Sequence, residues 1–124
     1  MDNDYIDISV VTEYLAGQSN PQENKFAFAY HITIANHGGQ TAQLISRRWL
    51  ITDGNQTETE VVGEGVVGEQ PVIAPGNHFQ YTSGVVLDTP VGTMQGSYQM
   101  LNPAGEQFDA NIPIFLLSVP GEVH

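Results

Sequence analysis

The strongest constraint on the fold is residues 26–35, where large and small side chains alternate without a break. Successive side chains of a β-strand point to opposite faces, so this two-residue period predicts a strand. Such a strand must bury its apolar face against a second layer. That face would carry Phe26, Phe28, Tyr30, Ile32 and Ile34.

Shorter alternating stretches recur along the chain and are separated by turn residues. They predict further strands over residues 6–14, 43–52, 59–62, 78–83, 94–100 and 108–116. Residues 16–24 predict a loop, and Pro113 indicates an edge strand or a bulge. No window shows a sustained helical period. About seven short strands with regular turns predict an all-β sandwich or barrel.

Three residues favour the sandwich over the barrel. Tyr98 lies two positions before Met100, and Trp49 lies in an earlier predicted strand. Immunoglobulin-like folds often place a tyrosine two residues before their second core cysteine and a tryptophan in an earlier strand. Met100 would take the place of that cysteine. We therefore predict an immunoglobulin-like β-sandwich of two antiparallel sheets, with residues 1–124 forming a single domain.

Composition excludes several functional classes. Cysteine is absent, so disulfides, thiolate nucleophiles and cysteine-ligated metals are excluded. Three cations stand against fourteen carboxylates, giving a net charge of −11, so we expect binding to neither nucleic acid nor anionic membranes. We see no signal sequence and no apolar run of roughly 20 residues, and expect a cytoplasmic protein. The acidic excess has two interpretations, solubility or an acidic docking surface.

No group of residues predicts catalysis or a cofactor. The four histidines, His31, His37, His78 and His124, have none of the spacings typical of metal ligands. The carboxylates at Glu58, Glu60, Glu64 and Glu69 match no calcium or magnesium loop. We therefore predict a protein that is not an enzyme and holds no metal.

The segment from Gly63 to Gly68 matches the G-x-G-x-x-G pattern of dinucleotide-binding loops. That pattern binds phosphate only where the glycines lead into a helix, whose free N–H groups meet the anion. Here Pro71 follows closely and no helical pattern begins, so glycines that allow bends are the favoured interpretation. Pyrophosphate or a dinucleotide bridged by Mg²⁺ remains the alternative ligand.

Arg47 and Trp49 form a second candidate binding site. Alternation places Ile45, Arg47, Trp49 and Ile51 on one face, and Leu44, Ser46, Arg48 and Leu50 on the other. An arginine beside a core tryptophan can stack on the ring or extend to the sheet edge. Arg and Trp are also enriched in binding hot spots, so the pair is a candidate anchor for an anion or a partner.

A longer series of motifs resembles a known family. The string RRWLIT at residues 47–52 and the string EVVGEGVVGEQP at residues 60–71 carry it most clearly. Residues 28–36, 74–76, 81–84, 92–100 and 108–115 continue the pattern. Together they are similar to the ApaG family, which has bacterial members and occurs as a domain in some eukaryotic F-box proteins and a DNA-polymerase-delta-interacting protein. The turn at residues 53–56 departs from it, because relatives commonly have a second glycine there.

The resemblance implies a fibronectin-type-III-like sandwich and a link to cobalt and magnesium tolerance, with no known catalytic residues. Its adaptor contexts imply protein–protein binding. We therefore expect a binding module with an unknown protein partner, and homodimerisation is also possible. Its candidate binding residues are Arg47, Trp49, Gly63, Glu64, Gly65, Gly68 and Gln70.

Overall fold

A computed structural model describes residues 5–121 of the protein. Eight strands run in chain order: β1 (Ile6–Tyr14), β2 (Phe26–Asn36), β3 (Ala42–Asp53), β4 (Glu58–Glu64), β5 (Val72–Ile73), β6 (His78–Leu87), β7 (Val91–Leu101) and β8 (Gln107–Ser118). The predicted loop after β1 contains two short 3₁₀ turns, Ala16–Gln18 and Pro21–Glu23. Over residues 5–121 no helix is long and apolar enough to cross a membrane.

The strands form two antiparallel sheets. The smaller sheet has the order β1-β2-β6, and the larger has the order β4-β3-β7-β8, with β5 also paired to β3. The predicted β-sandwich is therefore confirmed. Only β5 was not predicted, because two residues are too short to show a period.

The apolar face of β2 lies in the core, as its alternation predicts. Its large residues pack with apolar residues of the opposite sheet, including Trp49, Tyr98 and Met100. Ala27 on the other face is also buried. The loop after β1 covers it, and Leu15 N–H and Ser19 Oγ both hydrogen-bond to its backbone.

A bulge interrupts the alternation of β3, so the predicted assignment of its residues to two faces is wrong on one side of the bulge. Alternation placed Leu44 and Trp49 on opposite faces, but both are buried, with 0% and 2% of their surface exposed. The pairing of β3 with β7 shifts register between Leu44 and Ser46. An extra residue at a bulge reverses which side chains face the core, so simple alternation fails beyond it.

A second bulge interrupts the alternation of β8, so the predicted face of this strand is wrong beyond the bulge. Phe108, Ala110 and Ile112 are buried as predicted, but Ile114 and Leu116 are 60% and 45% exposed. Met94 pairs with Phe115 and Gly96 pairs with Ile112, so two residues of β8, Pro113 and Ile114, stand opposite one of β7. Beyond this point Leu117 faces the core. The prediction that Pro113 marks an edge strand or a bulge is confirmed on both counts.

Candidate functional site

The glycine-rich segment forms a tight hairpin turn after β4. Val66 and Glu69 exchange two backbone hydrogen bonds, of 2.8 and 2.9 Å. Between them Val67 and Gly68 both have positive φ, 43° and 83°, as in a type I′ turn. A β-branched residue rarely adopts this conformation. The Val67 side chain is 56% exposed at the tip, while Val66 is buried at the base.

This hairpin is fastened to the bulge of β3 through one carbonyl. Ile45 O accepts hydrogen bonds from Gly65 N–H at 2.8 Å and from Gln70 Nε2 at 2.9 Å. Gly65 has φ +64°, and a Cβ at this position would lie 2.3 Å from Glu69 O. Only glycine fits there. Gly65 and Gln70 therefore hold the hairpin in place.

Arg47 supports the same hairpin from the neighbouring strand. Its guanidinium lies over its cross-strand partner Gly63, where a Cβ would come within 2.9 Å of Nη1 and Nη2. Nη1 donates to Glu64 O at 3.1 Å and to Gly65 O at 2.8 Å. The absence of a side chain at Gly63 is what lets the guanidinium reach these carbonyls.

A cleft of about 280 Å³ opens between the two sheets beside this arginine. The larger sheet contributes Arg47 and Trp49, and the smaller sheet contributes Tyr30, Tyr81 and Ser83. Residues 64 and 66–68 complete its wall. We call this site the Arg47 cleft.

Trp49 connects the cleft to an aromatic cluster in the core. Its ring centroid lies 5.5 Å from that of Tyr30, 5.8 Å from Phe115 and 6.3 Å from Tyr98, all with edge-on geometry. Such edge-to-face contacts stabilise aromatic pairs beyond simple burial. The aromatic wall of the cleft is therefore rigidly supported.

The Tyr81 and Tyr98 hydroxyls form a buried hydrogen bond of 2.5 Å, which joins the smaller sheet to the larger. Burial raises the pKa of Tyr81 to about 12, although its bond to Tyr98 and the nearby Arg47 charge act in the opposite direction. Burial, the Tyr81 hydroxyl and its hydrogen bond also raise the pKa of Tyr98. Both hydroxyls therefore stay protonated at neutral pH.

Arg47 differs from the other two cations in its charge partners. Lys25 Nζ lies 2.8 Å from an Asp88 carboxylate oxygen, and Arg48 Nε lies 2.5 Å from a Glu60 oxygen. Over residues 5–121 Arg47 forms no ion pair. The chain has fourteen carboxylates, yet Arg47 has no such partner within residues 5–121, and it lines a cleft together with Tyr30, Trp49 and Tyr81.

The structure brings the predicted binding residues together. Arg47, Trp49, Glu64 and Gly68 line the cleft, Gly63 makes room for the guanidinium, and a shallow recess beside the cleft is lined by residues that include Gly65 and Gln70. Sequence reasoning missed Tyr30, Tyr81 and Ser83. They belong to alternating stretches, but nothing in the sequence says which strands face each other across the sandwich.

The three histidines within residues 5–121, His31, His37 and His78, do not line this cleft. His31 contacts Thr82 Oγ1 at 2.8 Å and Glu13 Oε1 at 3.3 Å, and His37 Nε2 lies 4.0 Å from an Asp7 oxygen. His124 lies outside residues 5–121. Within that range no three His, Asp or Glu residues converge as a metal site would require.

Comparison of the amino-acid sequence with known proteins shows which family the chain belongs to. The model of the ApaG domain matches residues 16–102. The chain belongs to the ApaG family. It is 58% identical over 119 residues to Protein ApaG of Pseudomonas aeruginosa and 56% identical over 119 residues to Protein ApaG of Aromatoleum aromaticum. Each alignment covers 96% of this chain and 94% of the relative.

Solved structures share the fold of this ApaG chain. A structural-genomics target solved by X-ray crystallography superposes with a TM-score of 0.93 at 50% identity, covering 98% of this chain and 92% of its own. A Bordetella pertussis protein described as ApaA has a TM-score of 0.91 at 46% identity, covering 94% of each chain. The match to the ApaG domain includes every residue of the Arg47 cleft.

Proposed function

We propose that this ApaG protein is a non-enzymatic binding module whose partner is another protein, bound at the Arg47 cleft and the hairpin beside it. The observation that carries the proposal is the position of Arg47, without an ion pair over residues 5–121, between Tyr30, Trp49 and Tyr81. Arginine, tryptophan and tyrosine are the residues most enriched in binding hot spots.

The hairpin supports the proposal by its shape. Its tip exposes Val67 in a conformation that is unfavourable for valine. Backbone strain of this kind costs about 1–3 kcal/mol and is concentrated at functional sites. The exposed Val67 side chain would give the partner an apolar contact at the tip of the hairpin.

The alternative ligand, pyrophosphate or a dinucleotide with Mg²⁺, has less support. A phosphate loop needs free backbone N–H groups, ideally at a helix N-terminus. The N–H groups of Gly65, Val66 and Glu69 are already hydrogen-bonded within the protein, and the glycines lie in a hairpin turn that leads to β5 and not to a helix. Glu64 and Glu69 would also repel the anion.

Under this proposal the module acts in the cytoplasm without a cofactor. The link of ApaG proteins to cobalt and magnesium tolerance would then operate through the partner. The possible homodimer is a special case in which the partner is a second copy of the chain.

Site-specific photocrosslinking in cells tests the proposal. Benzoylphenylalanine is placed at Val67, and in a control protein at Val11, which is 66% exposed on β1. We expect a discrete protein adduct from position 67 and none from position 11. An adduct of twice the chain's mass would identify a second copy as the partner. Equal adducts from both positions, or none from position 67, would contradict the proposal.

A further inference from the structure

We infer that the Arg47 cleft binds a single carboxylate carried on an aromatic or apolar group. This inference rests on the proposed binding function and names the chemistry that the cleft recognises. Three features of the site support it: the unused donors of Arg47, the aromatic walls and the distribution of charge around the opening.

The guanidinium of Arg47 is held in one orientation and keeps two nitrogens for a ligand. Nη1 is occupied by the carbonyls of Glu64 and Gly65. Nε and Nη2 have no hydrogen-bond acceptor among residues 5–121. The N–H groups of these two nitrogens point in parallel along one edge of the guanidinium, which is the geometry that binds both oxygens of a carboxylate.

A second donor lies on the opposite sheet. Ser83 lines the cleft, and its hydroxyl makes no side-chain hydrogen bond within residues 5–121. The donors of the site therefore come from both sheets. This arrangement suits a compact acceptor group inserted between them.

The walls select the group that carries the carboxylate. Tyr30, Trp49, Tyr81 and Val66 line the cleft, and less than a tenth of the surface of each is exposed. A cleft of about 280 Å³ is at or below the lower end of the volumes that hold drug-sized ligands, and accommodates a single ring or a branched side chain. An apolar group of that size would be desolvated as its carboxylate reaches Arg47.

Charge at the opening limits the ligand to one negative group. Glu64 and Glu69 lie at the cleft and its adjoining recess, and the chain carries a net charge of −11. A polyanion such as pyrophosphate or an acidic peptide would be repelled by these carboxylates. A lone carboxylate next to neutral or basic groups is repelled less, and the donors of Arg47 that have no acceptor among residues 5–121 can bind it. A partner's C-terminus and an internal acidic side chain both offer this chemistry.

Titration of the isotope-labelled protein with small probes, followed by backbone NMR, tests the inference. N-acetylphenylalanine models a C-terminal carboxylate, and acetylaspartate N-methylamide models an internal acidic side chain. We expect at least one of them to shift the amides of residues 66–68 and Ser83 saturably at millimolar concentration. The probe that binds more tightly identifies the source of the carboxylate.

The matched neutral probe is N-acetylphenylalanine amide, and the polyanionic probe is pyrophosphate. We expect at least tenfold weaker binding of both. Arg47→Gln should abolish the shifts, whereas Arg48→Gln should leave them unchanged, because Arg48 pairs with Glu60 on the opposite face of the sheet. Thermal melting of each variant would verify that it is folded.

Three results would overturn the inference: no saturable shift with either carboxylate, equal binding of the neutral amide, or binding that survives in a folded Arg47→Gln variant. Failure here differs from failure of the proposed function. If the crosslink at position 67 persists while no carboxylate binds, the partner uses the hairpin without placing an anion on Arg47.

Discussion

Asn36 and Arg47 are both polar residues on strands of the sandwich, and both hold a neighbouring loop through backbone carbonyls. Asn36 is fully buried, and its Nδ2 donates to Gln40 O at 2.8 Å and to Ile73 O at 2.9 Å. Its Oδ1 accepts from Gly38 N–H at 3.0 Å. Arg47 is half-buried and uses only Nη1 within residues 5–121.

The difference separates a structural site from a binding site. The Nδ2 and Oδ1 atoms of Asn36 are both hydrogen-bonded to the turn at residues 36–40, and Nδ2 also to β5. No side-chain donor of Asn36 is therefore left for a ligand. Arg47 lines a cleft, and its Nε and Nη2 have no acceptor among residues 5–121. A buried polar group must be satisfied by the protein itself, while a group beside a cleft can be satisfied by water until a ligand replaces it.

The largest expected effect is on Asn36. Asn36→Asp replaces the buried Nδ2 donor with an oxygen that faces two carbonyl oxygens. We expect a loss of at least about 3 kcal/mol in the free energy of unfolding, because a buried charge would lack donors on that side. Urea unfolding followed by Trp49 fluorescence measures it.

The control for this variant is Asn111→Asp, which makes the same chemical change at an exposed position of β8. It should change the free energy of unfolding by no more than about 0.5 kcal/mol. If Asn36→Asp costs less than about 1 kcal/mol, Asn36 is not the structural site described above.

An intermediate effect on stability is expected at Tyr81. This residue lines the cleft, while its hydroxyl is hydrogen-bonded to that of Tyr98. Tyr81→Phe leaves the buried Tyr98 hydroxyl without this partner. We expect a loss of about 1–2 kcal/mol at pH 7, measured by urea unfolding. The double variant with Tyr98→Phe should recover part of that loss, since no hydroxyl then remains unpaired.

Alkaline pH tests the same pair. The folded-state pKa of Tyr81, about 12, lies above its ordinary value of 10.0, so the folded state favours the protonated form. The corresponding stability is present below pH 10 and is lost as pH rises through about 12. Absorbance at 295 nm measures the ionised tyrosines. Ionisation of all the tyrosines should therefore be complete only at the pH where Trp49 fluorescence shows that the protein has unfolded. Complete tyrosine ionisation near pH 10 in a folded protein would contradict the buried pair.

The smallest effect on stability is expected at Arg47. Arg47→Gln removes two hydrogen bonds that lie close to solvent, so we expect a loss below about 1 kcal/mol. Arg48→Gln should cost a similarly small amount, because it breaks only an exposed ion pair. A loss at Arg47 as large as that at Asn36 would remove the distinction between the two sites and make Arg47 primarily structural.

The positions of the strands and the class of fold were readable from the sequence. The predicted strand over residues 6–14 agrees with β1, and the stretch over residues 26–35 agrees with β2 to within one residue. Strand periodicity is local, since each residue's face is set by its neighbours along the chain. Arg47 and Trp49 do share the face that the alternation predicts.

Tertiary structure alone decided which faces meet and where alternation breaks. The bulges near Ile45 and Pro113 move Leu44 and Leu117 into the core, because register depends on the partner strand. The Arg47 cleft required Tyr81 and Ser83 from the opposite sheet. Periodicity along one strand carries no information about the strand that packs across from it, so the sequence supplied half of the site and the packing of the sheets supplied the rest.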